Sequence, residues 1–358
     1  MEKESGTSKA SNDALSNGSL ESPSSIVVNE EPFLTFDPKS KLSFVDKSAI
    51  YRSLVALVKA EHPFNNVLLD KAFRFLESFE PNWDNPSGAK LVTELVSSSA
   101  RSRFGFIESI VTLLSSSHST VVAATFSFLR SSTRAVSLEI RCRLVESDLI
   151  TKVLAAVQPH TLPISGNETM FSNLITIILD CITITFPSSL ISIGFNSAVK
   201  KSNHREMIFQ KAVIPSSPFV TFLISNLFIL NGDVLHSFMS LLGTHIQIGA
   251  YHHPTLEFVL ASPIVMAFTS CLSFVEQDFR LDTALNYIHR TIYDWKKESP
   301  EAAQSGKRMM QALISEGFED TLEQKMIHEK NGDYGFKIVN SCHTISKLLG
   351  SNVGRPRW

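Results

Sequence analysis

The stretch from Ile107 to Val157 constrains the chain more than any other, because amphipathic segments follow one another there with only small polar turns between them. Ile107, Ile110, Val111 and Leu114 fall at the i, i+3, i+4, i+7 spacing of one helical face. After the break Ser115-Ser116-Ser117, Val122, Phe126 and Leu129 repeat most of that pattern, and Ile150, Val153, Leu154 and Val157 form a further face. Short helices in series cannot each build a core of their own, so they must bury their apolar stripes against their neighbours. Stacked helices are the expected result.

The rest of the chain is compatible with such a stack. Its 358 residues exceed the common single-domain size of roughly 100 to 150, and the even helical texture favours one repeat array over two globules. A hydrophobic fraction of 43% is ample for a core, while 19% charged residues falls below the roughly 25% typical of soluble domains. With a net charge of −2 there is no global attraction to nucleic acid or to an anionic membrane. Cys142, Cys181, Cys271 and Cys342 lie far apart within apolar helical patterns, which predicts buried thiols in a reducing compartment. The first residues carry no apolar signal core and no Arg-rich, acid-poor transit pattern, so cytoplasmic residence is expected, with the nucleus as the alternative. The dense apolar runs Leu174 to Phe186 and Phe219 to Leu230 are shorter than the roughly 18 to 20 residues of a spanning helix and are interrupted by Asp180 and Asn226. They read as central helices of the stack, and no transmembrane segment is expected.

Three regions follow. Residues 1–40 are rich in serine and poor in aromatic residues, which predicts a disordered tail. Residues 41–350 form the helical domain, and 351–358 a flexible C-terminal tail. Within the domain, Ser43 with Asp46 predicts a first helix start, 64–79 a second helix, and Asn85-Pro86 opens a third. Ser165 with Glu168 predicts a capping box ahead of a helix over 171–186, and Asn203 with Glu206 a helix through Val213. Ser217-Pro218 is then expected to open a separate helix over 219–230, paired with 234–248 across Asn231-Gly232. Later helices are expected at 254–261, 263–276, 278–297, 300–315, 318–330 and 335–349. No window alternates β-branched and polar residues in the manner of a strand, so the fold class is all-α.

Three turns share one grammar: two apolar residues end a helix, a tight turn follows, and apolar residues open the next. They are Leu144-Val145-Glu146-Ser147-Asp148-Leu149-Ile150, Val259-Leu260-Ala261-Ser262-Pro263-Ile264, and Leu313-Ile314-Ser315-Glu316-Gly317-Phe318. Ile110-x-x-Leu113-Leu114-Ser115, followed by Val121-Val122 and Phe126-x-x-Leu129, is similar to the second and third helices of an armadillo or HEAT unit. Arg141-x-x-Leu144-Val145-Glu146 resembles the short first helix of the next. More broadly, residues 40 to 350 resemble a large set of uncharacterised protist proteins with armadillo-like helices. The resemblance implies a right-handed α-solenoid of degenerate repeats and no particular biochemistry. Peptide-binding armadillo proteins carry a ladder of Asn side chains on their third helices, whose amides bond an extended peptide. Here Phe128 occupies the corresponding place in the best-matched unit, and Trp83, Trp295 and Trp358 have no repeated spacing, so the ladder mode is not expected.

No G-x-S-x-G, G-x-x-x-x-G-K-[ST] or H-E-x-x-H motif occurs, so nucleophilic, nucleotide and zinc-hydrolase chemistry lack an anchor, and neither catalytic residues nor a cofactor is expected. His245, His252 and His253 lie near one another in sequence, but adjacent histidines diverge, and no metal site is assigned to them. Two groups remain as candidate binding residues. Lys200, Lys201 and Arg205 form a basic cluster, with further pairs at Lys296-Lys297 and Lys307-Arg308, and could serve an acidic partner. Tyr287, Tyr293 and Trp295 mix aromatic rings with polar groups along one helix and are candidates for a protein contact. The expected function is a non-enzymatic intracellular scaffold binding another protein through the solenoid surface. The alternatives are a peripheral adaptor at anionic membrane or nucleic acid, and an enzyme with an unrecognised pocket.

Overall fold

The computed structural model describes residues 138–183, 204–249, 251–274, 300–328 and 335–349 without a break, with separate positions between 111 and 134 and at Leu281, Leu285 and His289. Of the described residues 89% are helical and none lies in a strand, which agrees with the all-α expectation. After a short 3-10 turn at Leu113–Ser115 and helical positions from Val122 to Arg134, the chain runs through α1 (Leu138–Glu146), α2 (Leu149–Val157) and α3 (Glu168–Ile182). It continues as α4 (His204–Ser225), α5 (Gly232–Gly249), α6 (His253–Ala261) and α7 (Ile264–Phe274). The last helices are α8 (Pro300–Ser315), α9 (Phe318–His328) and α10 (Gly335–Leu349). The terminal tails, the helices expected before residue 100 and Phe128 fall outside the described residues.

The three turns with shared grammar all join a helix to its successor. Between α1 and α2, Ser147 N–H donates to Arg143 O and Asp148 N–H to Val145 O, each at 3.0 Å. Between α8 and α9, Glu316 N–H donates to Ala312 O and Gly317 N–H to Ile314 O, each at 3.1 Å. Both turns need a left-handed residue. Glycine supplies it at Gly317 (φ +74°), whereas Asp148 adopts φ +61° with a side chain in place. Asp148 is anchored there by Lys211 of α4, whose Nζ lies 2.7 Å from its Oδ1. The α6–α7 turn instead uses Ser262 in extended backbone (φ −111°, ψ 159°), the conformation a following proline favours, and the two helices bend by 69°.

Two local expectations are corrected. The capping box at Ser165 does not form: Asn167 is the residue before α3, Glu168 is its first residue, and the Glu168 carboxylate accepts the Gly166 N–H at 3.0 Å. The register is displaced because Asn167 Nδ2 donates back to Pro163 O at 2.9 Å, closing a turn where the cap was expected. α3 ends at Ile182 with Thr183 as its cap; Phe186 lies outside the described residues. The second correction concerns α4. The helices expected to meet at Ser217-Pro218 are one helix of 22 residues, with Pro218 inside it. Phe209–Val213 is a π-turn, and Ile214 N–H reaches back five residues to Phe209 O. The helix is thus wound more widely directly before the prolines, and the Ser216 hydroxyl donates to the Val213 carbonyl at 3.0 Å. Because of this fusion, α4 is the one helix among the described residues long and apolar enough to cross a membrane. Its buried Ile208, Ala212, Val213, Phe219, Val220 and Leu223 alternate with half-buried and exposed positions, and it packs against α2.

Each helix packs on close neighbours in the sequence. α5 lies against α3, α6 and α7, α7 against α9, and α9 against α10. Phenylalanine fills the layers, as its abundance predicts: Phe126, Phe171, Phe238, Phe268 and Phe318 are fully buried. Phe171 of α3 meets Phe219 and Phe222 of α4 at 6.0 and 6.1 Å, and Phe268 of α7 meets Phe318 of α9 at 6.1 Å. Gly249 lets α5 end against α6, since a Cβ there would stand 3.3 Å from Leu256 Cα and 3.0 Å from Met309 Cε. All four cysteines are buried thiols, and burial pushes Cys271 up to about 12.

Candidate functional site

The face shared by α3 and α5 is set by two stripes of small polar residues. On α3 these are Thr169, Ser172, Asn173, Thr176, Asp180 and Thr183; on α5 they are Asp233, His236, Ser237, Ser240 and Thr244. Both stripes follow helical spacing, and both lie opposite the apolar residues that form the core. Ser172 Oγ and Ser237 Oγ are 3.2 Å apart, near the N-terminal ends of both helices, so α3 and α5 run side by side in the same direction. Most of these hydroxyls bond their own helix: Thr176 donates to Ser172 O at 2.8 Å, Ser240 to His236 O at 3.0 Å, and Thr244 to Ser240 O at 2.9 Å. Thr169, Asp233 and Ser240 are exposed and Ser172, Thr176 and Ser237 half-buried between them, while Asn173 and Thr244 are buried beneath this polar surface.

An amide ladder does not extend across this face. Asn173 Oδ1 accepts Arg130 Nη1 at 3.2 Å, and on α5 the residue after Ser237, at the matching level, is the buried Phe238. The C-terminal end of α3 is charged. Asp180 is half-buried, Thr133 Oγ lies 3.4 Å from its Oδ2, and Arg141, Arg134 and Arg130 act on it electrostatically. Burial raises its carboxyl above the usual Asp value even so, because desolvation outweighs the three guanidiniums. In the sequence these arginines are single residues far from Asp180, and Arg141 stands out only within the Arg141-x-x-Leu144-Val145-Glu146 segment. Their i, i+4 spacing at Arg130 and Arg134 was the available signal.

Of the candidates Lys200, Lys201, Arg205, Tyr287, Tyr293 and Trp295 only Arg205 falls within the described residues, and of the further basic pairs Lys307-Arg308 does, with both residues exposed on α8. Arg205 is half-buried, donates from Nη1 to Tyr251 O at 2.9 Å, and stands 5.5 Å from the centre of the Tyr251 ring. It fastens the start of α4 to the α5–α6 turn. The histidines nearby are separate. His252 Nε2 faces Glu206 at 3.2 Å and its Nδ1 faces Thr255 Oγ at 2.9 Å; His253 faces Glu257, which is also held bidentately by Arg308 at 2.5 and 3.2 Å. That contact holds the Glu257 carboxyl below its usual range. His245 is fully buried, with Nδ1 on Leu241 O at 2.8 Å and its other nitrogen unpaired. Among the described residues no three His, Cys, Asp or Glu side chains are placed to hold a metal ion.

Among the described residues the large apolar side chains Ile214, Phe228, Ile229, Met266, Phe274 and Ile314 are also exposed. Phe228, 88% exposed on the α4–α5 connector, packs edge to face on Phe274 at the end of α7, with centroids 5.9 Å apart.

No protein-family model matches the chain, and no curated protein matches its sequence. Solved structures do match. A designed armadillo repeat protein superimposes with a TM-score of 0.54 at 13% identity, covering 83% of this chain and 99% of its own. A computationally designed armadillo repeat protein for modular peptide recognition gives 0.53 at 13% identity, covering 82% and 98%. The three-helix grouping of α1–α3 and α8–α10, the serial packing and these superpositions establish the fold as an armadillo-like helical solenoid.

Proposed function

We propose that the chain is a non-enzymatic protein-binding scaffold that receives its partner on the face shared by α3 and α5. The observation that carries this reading is the pair of aligned polar stripes, whose accessible members Thr169, Ser172 and Thr176 on α3 and Ser237 and Ser240 on α5 are short side chains on two parallel helices. A partner laid along them meets few long side chains that must be ordered on binding. The designed neighbour made for modular peptide recognition supports the same use of an armadillo-like stack. We place the protein in the cytoplasm, where its buried thiols remain reduced. The adaptor reading through Arg205 is less favoured, since that guanidinium is engaged by Tyr251.

Photo-crosslinking in the native cell tests the proposal. A photoreactive residue at Thr176 or Ser240 should capture the same protein, while one at Thr151 or Ala261, both exposed outside the stripes, should not. Adducts absent from the stripe positions would overturn it.

A further inference from the structure

We infer that the edge formed by Phe228, Ile229 and Phe274 inserts into the surface of a neutral lipid bilayer. This goes beyond the scaffold reading and does not depend on what the α3–α5 face receives.

The placement of the three residues comes first. Phe268 of α7 closes on the middle of α5, where a Cβ added to Gly243 would stand 3.3 Å from its ring, and Phe274 meets Phe228 just ahead of α5. α7 therefore runs opposite to α5, and the end of α4, the start of α5 and the end of α7 come together at one edge. Phe228, Ile229 and Phe274 are 88, 57 and 50% exposed there. They offer water roughly 400 Å² of side-chain surface, about half of the ~800 Å² that each partner gives to a stable protein interface. A second copy docked on this edge would bury too little, whereas a fluid phase needs no matching shape.

Charge and hydrogen bonding point the same way. Residues 212–232 and 258–275, which meet at this edge, contain no Asp, Glu, Lys, Arg or His. The exposed side of α4 leads to Phe228 through Ile214, Pro218, Thr221 and Ser225. The polar groups of the edge are turned inward: Ser225 Oγ donates to Thr221 O at 3.0 Å, Asn226 Nδ2 to Phe222 O at 2.8 Å, and Ser273 Oγ to Ser270 O at 2.7 Å. The N–H groups of Asn226, Ile229 and Leu230 donate to the carbonyls of Leu223, Asn226 and Leu227. A protein interface draws on hydrogen bonds between the partners. In the apolar part of a bilayer, polar groups must be satisfied from within and charge is costly. With no basic residue in either segment, anionic headgroups add nothing to the attraction. Asp233, exposed in the first turn of α5, limits the depth of immersion.

Flotation of the full chain with vesicles of phosphatidylcholine alone provides the test. Three side chains of this size give reversible binding comparable to that of a single acyl chain, about 10⁴ M⁻¹, so the chain should float with the vesicles at millimolar lipid. The bound fraction should not change with salt or on adding phosphatidylserine. F228S/I229S should lower the partition constant about tenfold at unchanged helical circular dichroism, since both positions are exposed. Phe228→Trp should retain binding, because an indole suits the interface. Ile214→Ser, also exposed but about 20 Å back along α4, should bind as the parent does. Absence of flotation, binding that requires the anionic lipid, or an equal loss in Ile214→Ser would overturn the inference. A lipid-free dimer in sedimentation equilibrium that F228S/I229S abolishes would overturn it as well, in favour of a second copy.

Discussion

The sequence punctuates α4 and the α6–α7 pair in the same way, with a serine and a proline between apolar segments, yet one runs on as a single helix and the other bends. At Ser262-Pro263 the residue before proline is extended and the chain turns by 69°. In α4 the residue before Pro215 is Ile214, which stays helical at φ −62°, ψ −49°. The difference lies upstream. Phe209–Val213 widens into a π-turn before the prolines arrive, and Phe171 of α3 clamps the helix beyond them through Phe219 and Phe222. A proline breaks a helix where nothing opposes the break.

The most severe way to break this comparison is to remove the clamp. Phe171→Ala should lower stability by about 3–5 kcal/mol, read from denaturant unfolding, with amide exchange rising in α4 ahead of α7. Exchanging the prolines should separate the two regions by sign. Pro218→Ala should raise the melting temperature, by a gain of about 1 kcal/mol, because a helix-interior proline is removed; Pro263→Ala, at a turn that suits it, should lower it slightly. The left-handed turns sharpen the contrast further. Gly317→Ala should cost about 1 kcal/mol in thermal unfolding, whereas Asp148→Gly should gain less than that, because relief of the backbone comes with loss of the partly exposed Lys211 pair. The mildest effect follows pH. Burial depresses both His245 and His252, so the unfolded chain takes up protons near 6.5 while the folded chain takes them up lower. Their contribution is complete above about pH 6.5 and is lost as pH falls toward the depressed folded values. Hydrogen exchange across that window should rise in α6 before α2.

Much of the fold was legible because its turns are chemical. Asn231-Gly232, Ser262-Pro263 and Glu316-Gly317 placed the starts of α5, α7 and α9 within a residue or two, since each turn needs a particular backbone that few residues supply. The fusion of α4 was not legible, because a π-turn has no residue signature and Ser217-Pro218 is an ordinary helix opening. The capping box at Ser165 failed for a related reason: Asn167 competed for the same turn. The candidate site was less visible than the fold. The stripes on α3 and α5 appear in sequence only as polar residues between apolar ones, and nothing local says that Ser172 meets Ser237. Arg130 meets Asn173 of α3 only when the helical positions before α1 are laid against α3, and Arg141 acts on Asp180 from α1 itself.

The widened turn in α4 also bears on how this chain can vary. Such a turn holds one residue more than an ordinary helical turn needs, so deleting a residue within Phe209–Val213 would restore regular winding while leaving the flanking segments in phase with their packing partners. In a helix otherwise intolerant of length changes, that point is a slack link where the lineage could gain or lose a residue without reshuffling the layers on either side.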